Sequence, residues 1–185
     1  MGSLSDEKLI KAALAGNDNA FKEIVRRYEP RVAATVIGML GKNPEAEDVG
    51  QETFIRFYNS LKNFRGDSSV GTYLTRIAIN LSLNELKRRK RSPMFFFRKD
   101  ENEPFDVPDE NVRSSEFDDK EIIQQAIRKL ESKFRSVIVL RLLDGYSSEE
   151  TAQILNIPVG TVLSRLARGQ KKLQELLAPY MKEST

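Results

Sequence analysis

Apolar residues recur at intervals of three and four along most of the chain, the spacing that places them on one face of an α-helix. Four such segments precede Arg91, and the pattern resumes near Asp118. The second segment contains Pro30, whose ring predicts a kink or a break near Glu29. No segment shows the strict alternation that is typical of a half-buried strand. The pattern therefore predicts an all-α protein.

Turn-forming residues set the expected ends of these helices. Asn17 or Asp18 is placed to cap the second helix, because its side chain can accept a hydrogen bond from a free backbone N–H. Pro44 suits the first position of the third helix, where its missing N–H costs nothing. Pro93 disfavours helical geometry in the residue before it and ends the fourth helix, and Pro179 is expected to close the last one.

The periodic pattern is absent between Ser92 and Phe117, where the chain has three prolines and many carboxylates. Such a composition does not bury enough apolar surface to fold by itself. We therefore expect two helical domains, residues 1–91 and 118–185, joined by a flexible acidic linker at residues 92–117. The apolar run Met94–Phe97 is an exception, and we expect it to dock on a domain or on a partner.

The charge is unevenly distributed along the chain. The formal net charge is +3, but residues 92–119 contain three basic and nine acidic residues, which leaves a net charge of +9 elsewhere. Basic domains on either side of an acidic segment indicate a polyanionic partner, which the acidic segment could screen. An ordinary solvated linker explains the same composition, and the sequence leaves both interpretations open.

The chain contains no cysteine and no histidine. Disulfides, Cys/His zinc sites and imidazole catalysis are therefore excluded, and we expect no cofactor, no metal site and no enzyme activity. No apolar run approaches the roughly 20 residues that span a bilayer. The N-terminus lacks the basic head and apolar stretch of a signal peptide, so the expected location is the cytoplasm.

The strongest functional pattern lies between Leu143 and Gln174. Two short helices joined by a tight turn are predicted there, the first with Ser147 and Glu150 at the spacing of a capping box. The second continues into a basic segment that includes Arg168. This is the layout of a helix-turn-helix, whose second helix enters the DNA major groove. The alternative is a helical hairpin with an ordinary solvated face.

A second basic feature is the run of five cations from Lys87 to Arg91. It indicates phosphate binding, although cations also stabilise a helix C-terminus without any ligand. Phe64 and Tyr73 precede it, beside a flexible turn. Aromatic rings near cations suit unpaired nucleic acid, because bases stack on the rings, while either ring alone could equally belong to the core.

Residues 45–52 (EAEDVGQE) form an acidic helical face. Paired carboxylates can bind Mg²⁺ or act in hydrolysis. However, the chain has no glycine-rich phosphate loop to accompany them. We therefore interpret this face as a protein-docking surface rather than as a metal site.

Three segments together resemble region two of the bacterial extracytoplasmic-function sigma factors of the sigma-70 family. They are residues 20–28 (AFKEIVRRY), 46–54 (AEDVGQETF) and 64–80 (FRGDSSVGTYLTRIAIN). The tail resembles region four, from 134–137 (FRSV) through 144–147 (DGYS) to 159–165 (VGTVLSR). The resemblance implies an alternative sigma factor. Such a protein binds core RNA polymerase, recognises −10 and −35 promoter elements and helps to melt DNA.

The resemblance also implies roles for four groups of residues. The surface that docks on the clamp helices of the largest polymerase subunit comprises Asp48, Gln51, Glu52 and Phe54. The melted −10 strand is captured by Phe64, Arg65, Ser68, Ser69, Tyr73, Arg76 and Asn80. Upstream phosphates are held by Lys87, Arg88, Arg89 and Arg91. The −35 helix presents Thr161, Leu163, Ser164, Arg165, Ala167 and Arg168.

Several positions depart from the family pattern. The family usually has Trp where Tyr73 stands, so the stacking face is smaller here. Leu163 and Ala167 are small or apolar where the family often has larger or basic residues, which suggests contact with thymine methyl groups. The run Met94–Phe97 is not a family feature, and its role is left open.

The resemblance implies further partners and leaves two rivals. Such factors are commonly held inactive by an anti-sigma factor that covers the docking surfaces, and their linker threads near the polymerase active-site cleft. The rival from another class is a helix-turn-helix DNA-binding regulator that acts without polymerase docking. An interaction protein that binds a regulator through its apolar run and acidic faces is a second rival.

Overall fold

The computed structural model describes residues 4–91 and 119–181. Within these ranges the chain forms eight α-helices and no β-strand, which confirms the all-α prediction. The first four are α1 (Asp6–Leu14), α2 (Asp18–Leu40), α3 (Pro44–Ser60) and α4 (Val70–Arg91). The others are α5 (Asp119–Lys129), α6 (Ser132–Ile138), α7 (Ser148–Leu155) and α8 (Val159–Met181). The predicted linker at residues 92–117, with its run Met94–Phe97, lies outside the described residues. The description of the chain resumes at Asp119, where α5 begins.

The predicted N-terminal caps are present. The side chain of Asn17, rather than that of Asp18, accepts hydrogen bonds from the backbone N–H groups of Asn19 and Ala20 at 3.1 and 3.2 Å. The side chain of Asn43 accepts one from Ala46 at 2.9 Å, with proline at the first turn of α3. Each cap satisfies donors that have no partner within the helix.

Pro30 does not break its helix, which was one of the two outcomes expected there, and the expectation that Pro179 closes the last helix was wrong. Pro30 lies inside α2, which continues to Leu40 without the expected break near Glu29. Pro179 lies inside α8, which continues to Met181. Both prolines are exposed, so water can bond the backbone carbonyl that each proline leaves without an N–H donor.

The first unit is built from α2, α3 and α4, with α1 packed on α2. Ile24, Phe57 and Leu74, one from each of the three long helices, are completely buried at 0% exposure. Burying one such side chain stabilises the fold by about 1.5–3 kcal/mol. This shared core holds the outward faces of α3 and α4 in fixed directions.

The second unit comprises α5 to α8, with a π-helical turn at Val139–Leu143 directly after α6. Ala152 of α7 is buried with Val137 and Val162, so a small residue lies where α7 and α8 cross. Asn156 ends α7 in the left-handed conformation, with φ of 52°, and Gly145 precedes α7 with φ of 74°.

The two units pack directly against each other, an arrangement that the sequence left open. Val139 and Leu140 of the π-helical turn share one buried cluster with Val36 of α2. A Cβ atom at Gly38 would lie 3.1 Å from both methyl carbons of Val139. The missing side chain of Gly38 therefore lets the turn approach α2 closely.

Candidate nucleic-acid interface

The loop before α4 is held at both ends. The backbone N–H of Phe64 donates to the carbonyl of Leu61 at 3.2 Å, and the hydroxyl of Ser69 accepts the backbone N–H of Thr72 at 3.1 Å. Gly66 has φ of 77°, which other residues rarely adopt. Of the predicted loop residues, Arg65 and Ser69 are exposed and Ser68 is half-buried. The loop is thus anchored while its polar side chains stay accessible.

Phe64 and Tyr73 prove to be both core and surface residues. Their rings contact edge to face with centroids 5.2 Å apart. Both rings also contact the buried Phe57, with centroids 5.9 Å away. Each residue is only half-buried, so part of each ring is accessible on a platform that Phe57 supports from below.

Tyr73, Arg76 and Asn80 follow each other at intervals of three and four, which places them on one face of α4. Asn80 is exposed and Arg76 is half-buried. The Nε–H of Arg76 is buried and has no hydrogen-bond partner in the described part of the protein. An unpaired buried donor is costly, and a buried atom is out of reach of an external ligand, so only the exposed part of the half-buried Arg76 side chain can contact nucleic acid.

The structure divides the basic run at the end of α4. Arg88 and Arg89 both donate to the carboxylate of Glu85, at 2.7 and 3.1 Å. Arg88 lowers the pKa of Glu85, and Arg89 adds to the effect. Lys87, Arg88 and Arg91 are exposed and Arg89 is half-buried. Lys87 and Arg91 are therefore accessible to phosphate, while Arg88 and Arg89 already form ion pairs with Glu85.

The acidic face of α3 adjoins an apolar cleft that the sequence did not predict. Asp48 and Gln51 are exposed, and Glu52 accepts a hydrogen bond from Arg56 at 2.7 Å. Between α2 and α3 lies a cleft of about 540 Å³, lined in part by Phe54 and Ile55. Apolar side chains such as Val25, Val32, Ala33 and Ile37 line its other wall.

Ile55 at the edge of the cleft is a residue that the sequence reasoning missed. Its side chain is 54% exposed, and that of Tyr58 nearby on α3 is 48% exposed. Both lie on a helix whose buried residues include Ala46, Thr53 and Phe57. Both are apolar residues of α3 that lie outside its buried face. The sequence could have identified them by comparing the apolar positions of α3 with the spacing of that face.

The helix-turn-helix is formed as predicted. Ser147 and Glu150 exchange hydrogen bonds with each other's backbone N–H at 3.1 and 2.8 Å, which completes the capping box of α7. These bonds to Ser147 lower the pKa of Glu150. The turn at Asn156 then directs α8 across α7. The capping box and the turn together set the position of the second helix.

The predicted −35 residues occupy the outer face of α8. Leu163 is 52% exposed, and Ser164, Ala167 and Arg168 are also exposed. Thr161 and Arg165 are half-buried. The inner face carries the buried Val162 and Gly169, where an added Cβ would lie 3.1 Å from Ile138. Lys172 is held by Glu131 at 2.9 Å and is less available for phosphate.

Residues 4–91 and 119–181 contain neither a cluster of metal ligands nor a helix suited to a membrane. No group of three or more Asp and Glu residues there is arranged to hold a metal ion. None of the helices in residues 4–91 and 119–181 combines the length and the apolarity needed to cross a membrane.

Comparison with known families matches both units of the chain. Residues 24–92 match the family described as Sigma-70 region 2. Residues 120–173 match the family described as Sigma-70, region 4. The two matches occur in the order that the sequence segments indicated.

Similar proteins extend over nearly the whole chain. The ECF RNA polymerase sigma factor SigW of Bacillus subtilis is 36% identical, over 92% of this chain and 96% of that protein. The ECF RNA polymerase sigma-E factor of Escherichia coli K12 is 35% identical, over 97% of both. The RNA polymerase sigma-H factor of Pseudomonas aeruginosa is 32% identical, also over 97% of both.

Two solved structures share the fold. One is the sigma factor RpoE in complex with the anti-sigma factor NepR from Bartonella quintana, with a TM-score of 0.66 and 26% identity over 85% of this chain and 96% of that one. The other is CnrH in complex with the cytosolic domain of CnrY, with a TM-score of 0.67 and 26% identity over 94% of this chain and 97% of that one.

Proposed function

The chain belongs to the extracytoplasmic-function sigma factors of the sigma-70 family, and from this membership we propose how its residues divide the work of initiation. It is an alternative sigma factor that directs promoter-specific transcription by RNA polymerase. Residues 1–91 dock on core polymerase and recognise the −10 element. Residues 118–185 recognise the −35 element, and the linker at 92–117 threads near the active-site cleft.

The docking surface is the acidic face of α3 together with the adjoining cleft. Asp48, Gln51 and Glu52 supply polar contacts to the clamp helices of the largest polymerase subunit, and Phe54 with Ile55 supplies apolar area. An apolar centre with a charged rim is typical of stable protein interfaces. The exposure of Ile55, at 54%, supports this role.

The −10 element is captured as a single strand by the loop and α4. A base that leaves the stack costs on the order of a few kcal/mol, which stacking on Phe64 or Tyr73 can offset by about 1–3 kcal/mol. The half-buried Arg76 can donate to a base edge or a phosphate through the exposed part of its side chain. Lys87 and Arg91 then neutralise upstream phosphates.

The −35 element is recognised in duplex form by α8. Arg168 and Ser164 are exposed and can bond base edges, while Leu163 and Ala167 contact thymine methyl groups. Arg165, half-buried beside them, contacts a phosphate.

One observation carries the proposal as a whole. A strand-capturing face on α4 and a groove-reading face on α8 are both accessible within one chain.

The relatives of known structure support a further partner. RpoE from Bartonella quintana was solved with its anti-sigma factor NepR. We infer that an anti-sigma factor also binds this chain and covers its docking surface. Competition between that factor and core polymerase for the α2–α3 cleft would keep the chain inactive.

Run-off transcription tests the proposed function. Purified core polymerase is supplied with promoter fragments, with and without the chain, and new transcripts are mapped to their start sites. Transcripts that require the chain support the proposal, and their upstream sequences define both elements. If the free chain binds promoter fragments tightly and specifically but adds no transcripts, the regulator without polymerase docking is the better interpretation.

A further inference from the structure

The loop at residues 64–69, which we name the capture loop, is supported at both ends by helices that lie earlier in the chain. At its start, the 3-10 turn Leu61–Asn63 contacts α1, and Leu61 belongs to one buried cluster with Leu9 of α1. At its end, Gly71 is buried in the first turn of α4. The position of the capture loop therefore depends on how α1 and α2 hold these two points.

Gly71 brings the first turn of α4 close to α2. A Cβ atom at this position would lie 3.1 Å from Cε1 of Tyr28 and 2.9 Å from Nη1 of Arg31. The end of an arginine side chain can move aside, whereas a packed tyrosine ring cannot do so without a shift of its neighbours. The ring of Tyr28 thus limits where the first turn of α4 lies, and Tyr73 follows in the same helix two residues later.

A carboxylate of α1 fixes the ring of Tyr28. The hydroxyl of Tyr28 donates to Oδ2 of Asp6, and Nη1 of Arg27 donates to Oδ1 of the same carboxylate at 3.1 Å. Burial, with the bond to Asp6 adding to its effect, raises the pKa of Tyr28 to about 12. The hydroxyl therefore keeps its proton at neutral pH and remains a donor. Asp6 uses both of its oxygens to join α1 to α2.

We propose that Asp6 is a positioning residue for capture of the melted −10 strand, and that it acts through the ring of Tyr28 on the first turn of α4. The inference rests on the proposed function, because the position of α4 matters to DNA only if the capture loop and α4 bind an unstacked base. Asp6 lies on α1, apart from the residues assigned to DNA and to polymerase. Its effect on the strand is therefore indirect.

The two stacking rings are sensitive to small shifts of α4. The centroids of Phe64 and Tyr73 lie 5.2 Å apart, and Phe64 belongs to the start of the capture loop while Tyr73 moves with α4. A binding site works only when its groups are held within about 0.5 Å of the productive geometry. Without Asp6 the hydroxyl of Tyr28 loses its acceptor, and the ring can turn away from Gly71. The first turn of α4 then shifts, and the two rings no longer present one surface to a base.

Binding of single-stranded −10 DNA to the complex of the chain with core polymerase tests this role. The strand takes its sequence from the promoters that run-off transcription defines, and a series of strands carries one abasic site at each position in turn. The abasic site that weakens binding most identifies the captured base, and we expect a loss of about tenfold or more there. Asp6→Ala should bind the intact strand about tenfold more weakly than the natural chain. The same abasic site should then cost the variant little further affinity.

Three further variants distinguish positioning from a general loss of structure. Tyr28→Phe keeps the ring but removes the hydroxyl, and it should reproduce the effect of Asp6→Ala on the intact and abasic strands. Asp6→Asn retains an acceptor for Tyr28 and should restore most of the binding. Glu7→Ala, at the neighbouring exposed position of α1, should behave as the natural chain does. Affinity for core polymerase and for duplex −35 DNA should be the same in every variant, whereas a destabilised chain would lose all of these together.

The outcomes separate this inference from the proposed function. If Asp6→Ala and Tyr28→Phe lose as much affinity at the abasic site as the natural chain does, the inference is overturned and the proposed function stands. If the natural chain is insensitive to an abasic site at every position, strand capture itself fails and the inference falls with it. Additive losses in the double variant Asp6→Ala/Tyr28→Phe would also overturn it, because two residues that act through one contact are not additive. If Asp6→Ala is unfolded by circular dichroism, Tyr28→Phe decides alone.

Discussion

The guanidinium of Arg135 donates to the backbone carbonyl of Met39 at 2.7 Å, across 96 positions of the chain. It also donates to the carbonyls of Leu130, at 2.9 Å, and of Arg128. Met39 and Arg128 lie in the last turns of α2 and α5, where helix carbonyls lack partners and carry partial negative charge. A single buried cation therefore satisfies the ends of two helices from different units. Its burial lowers the pKa of Arg135 to about 10.

Replacing Arg135 with Met should destabilise the chain strongly. The variant keeps most of the apolar stem but leaves two buried carbonyls and one partly buried carbonyl without donors, and each buried one costs about 1–3 kcal/mol. We expect a loss of about 3–5 kcal/mol in the free energy of unfolding, measured by urea denaturation. The matched variant Arg168→Met, at an exposed position of α8, should change it by less than about 0.5 kcal/mol.

Packing of the two units against each other, the closed form of the chain, should strengthen as the pH falls, because the partly buried Asp144 joins the turn before α7 to Thr35 of α2. The pKa of Asp144 is 3.8 when the group is exposed and about 6 in the closed chain. The closed form therefore binds more protons between these values, and the ratio of closed to open chains rises by up to about tenfold per pH unit on acidification. Energy transfer between dyes on Lys62→Cys and Lys171→Cys measures this ratio.

The substitution Asp144→Asn is the control for this pH effect. Its side chain is neutral at every pH and has nearly the shape of the protonated carboxyl. The variant should be closed to a similar extent from pH 7 to pH 5, values chosen to bracket the titration of about pH 6 in the natural chain. A dependence on pH that survives in the Asn variant would assign the effect to another group.

Removing the capping box should destabilise the helix-turn-helix. Ser147→Ala removes the acceptor for the backbone N–H of Glu150 and should cost about 1 kcal/mol of stability. Because the pKa of Glu150 is lowered, its contribution is present at neutral pH and is lost as the pH falls through that lowered pKa. Thermal unfolding at pH 7 measures the change. Glu149→Ala, at the neighbouring exposed position, should have little effect.

Substitution of two cationic side chains, Arg168 and Lys87, should distinguish base recognition from phosphate binding. Arg168→Ala should weaken binding to the −35 element by about 1–3 kcal/mol, or roughly 5- to 150-fold, and relax sequence preference there. Lys87→Ala should weaken binding to all sequences alike and reduce the salt dependence by about one released counterion. Binding of the polymerase complex to promoter variants at several salt concentrations measures both. Unchanged promoter output with Arg168→Ala would contradict its assignment.

Reversing charge on the docking face should weaken polymerase binding without unfolding the chain. Asp48 is exposed on α3, so Asp48→Lys should preserve the fold while it opposes the clamp-helix contact. We expect affinity for core polymerase to fall at least about tenfold, since like charges across an interface are strongly unfavourable. Glu175→Lys, the same change on exposed α8, should leave affinity unchanged. Equal losses in both variants would indicate a general charge effect.

Local features of this chain were predictable because the interactions behind them connect residues close in sequence. The caps at Asn17 and Asn43 and the capping box of Ser147 and Glu150 each involve bonds over two or three positions. Helical periodicity depends only on spacing. The rule that proline breaks a helix is also local, but neither Pro30 nor Pro179 ended its helix. The energetic cost of each proline depended on whether water reaches the carbonyl that it leaves without a donor. Exposure is a property of the folded protein.

The sequence by itself determined the all-α fold, the helix-turn-helix, the basic and acidic faces and the sigma-factor resemblance. Only the tertiary structure decided that Ile55 edges an apolar cleft, that Arg88 is already paired with Glu85, and that the two units close on each other. The bonds between Thr35 and Asp144 and between Arg135 and Met39 join residues 109 and 96 positions apart. No periodic pattern encodes such pairs, because they form only when several independently specified surfaces meet and exclude water together.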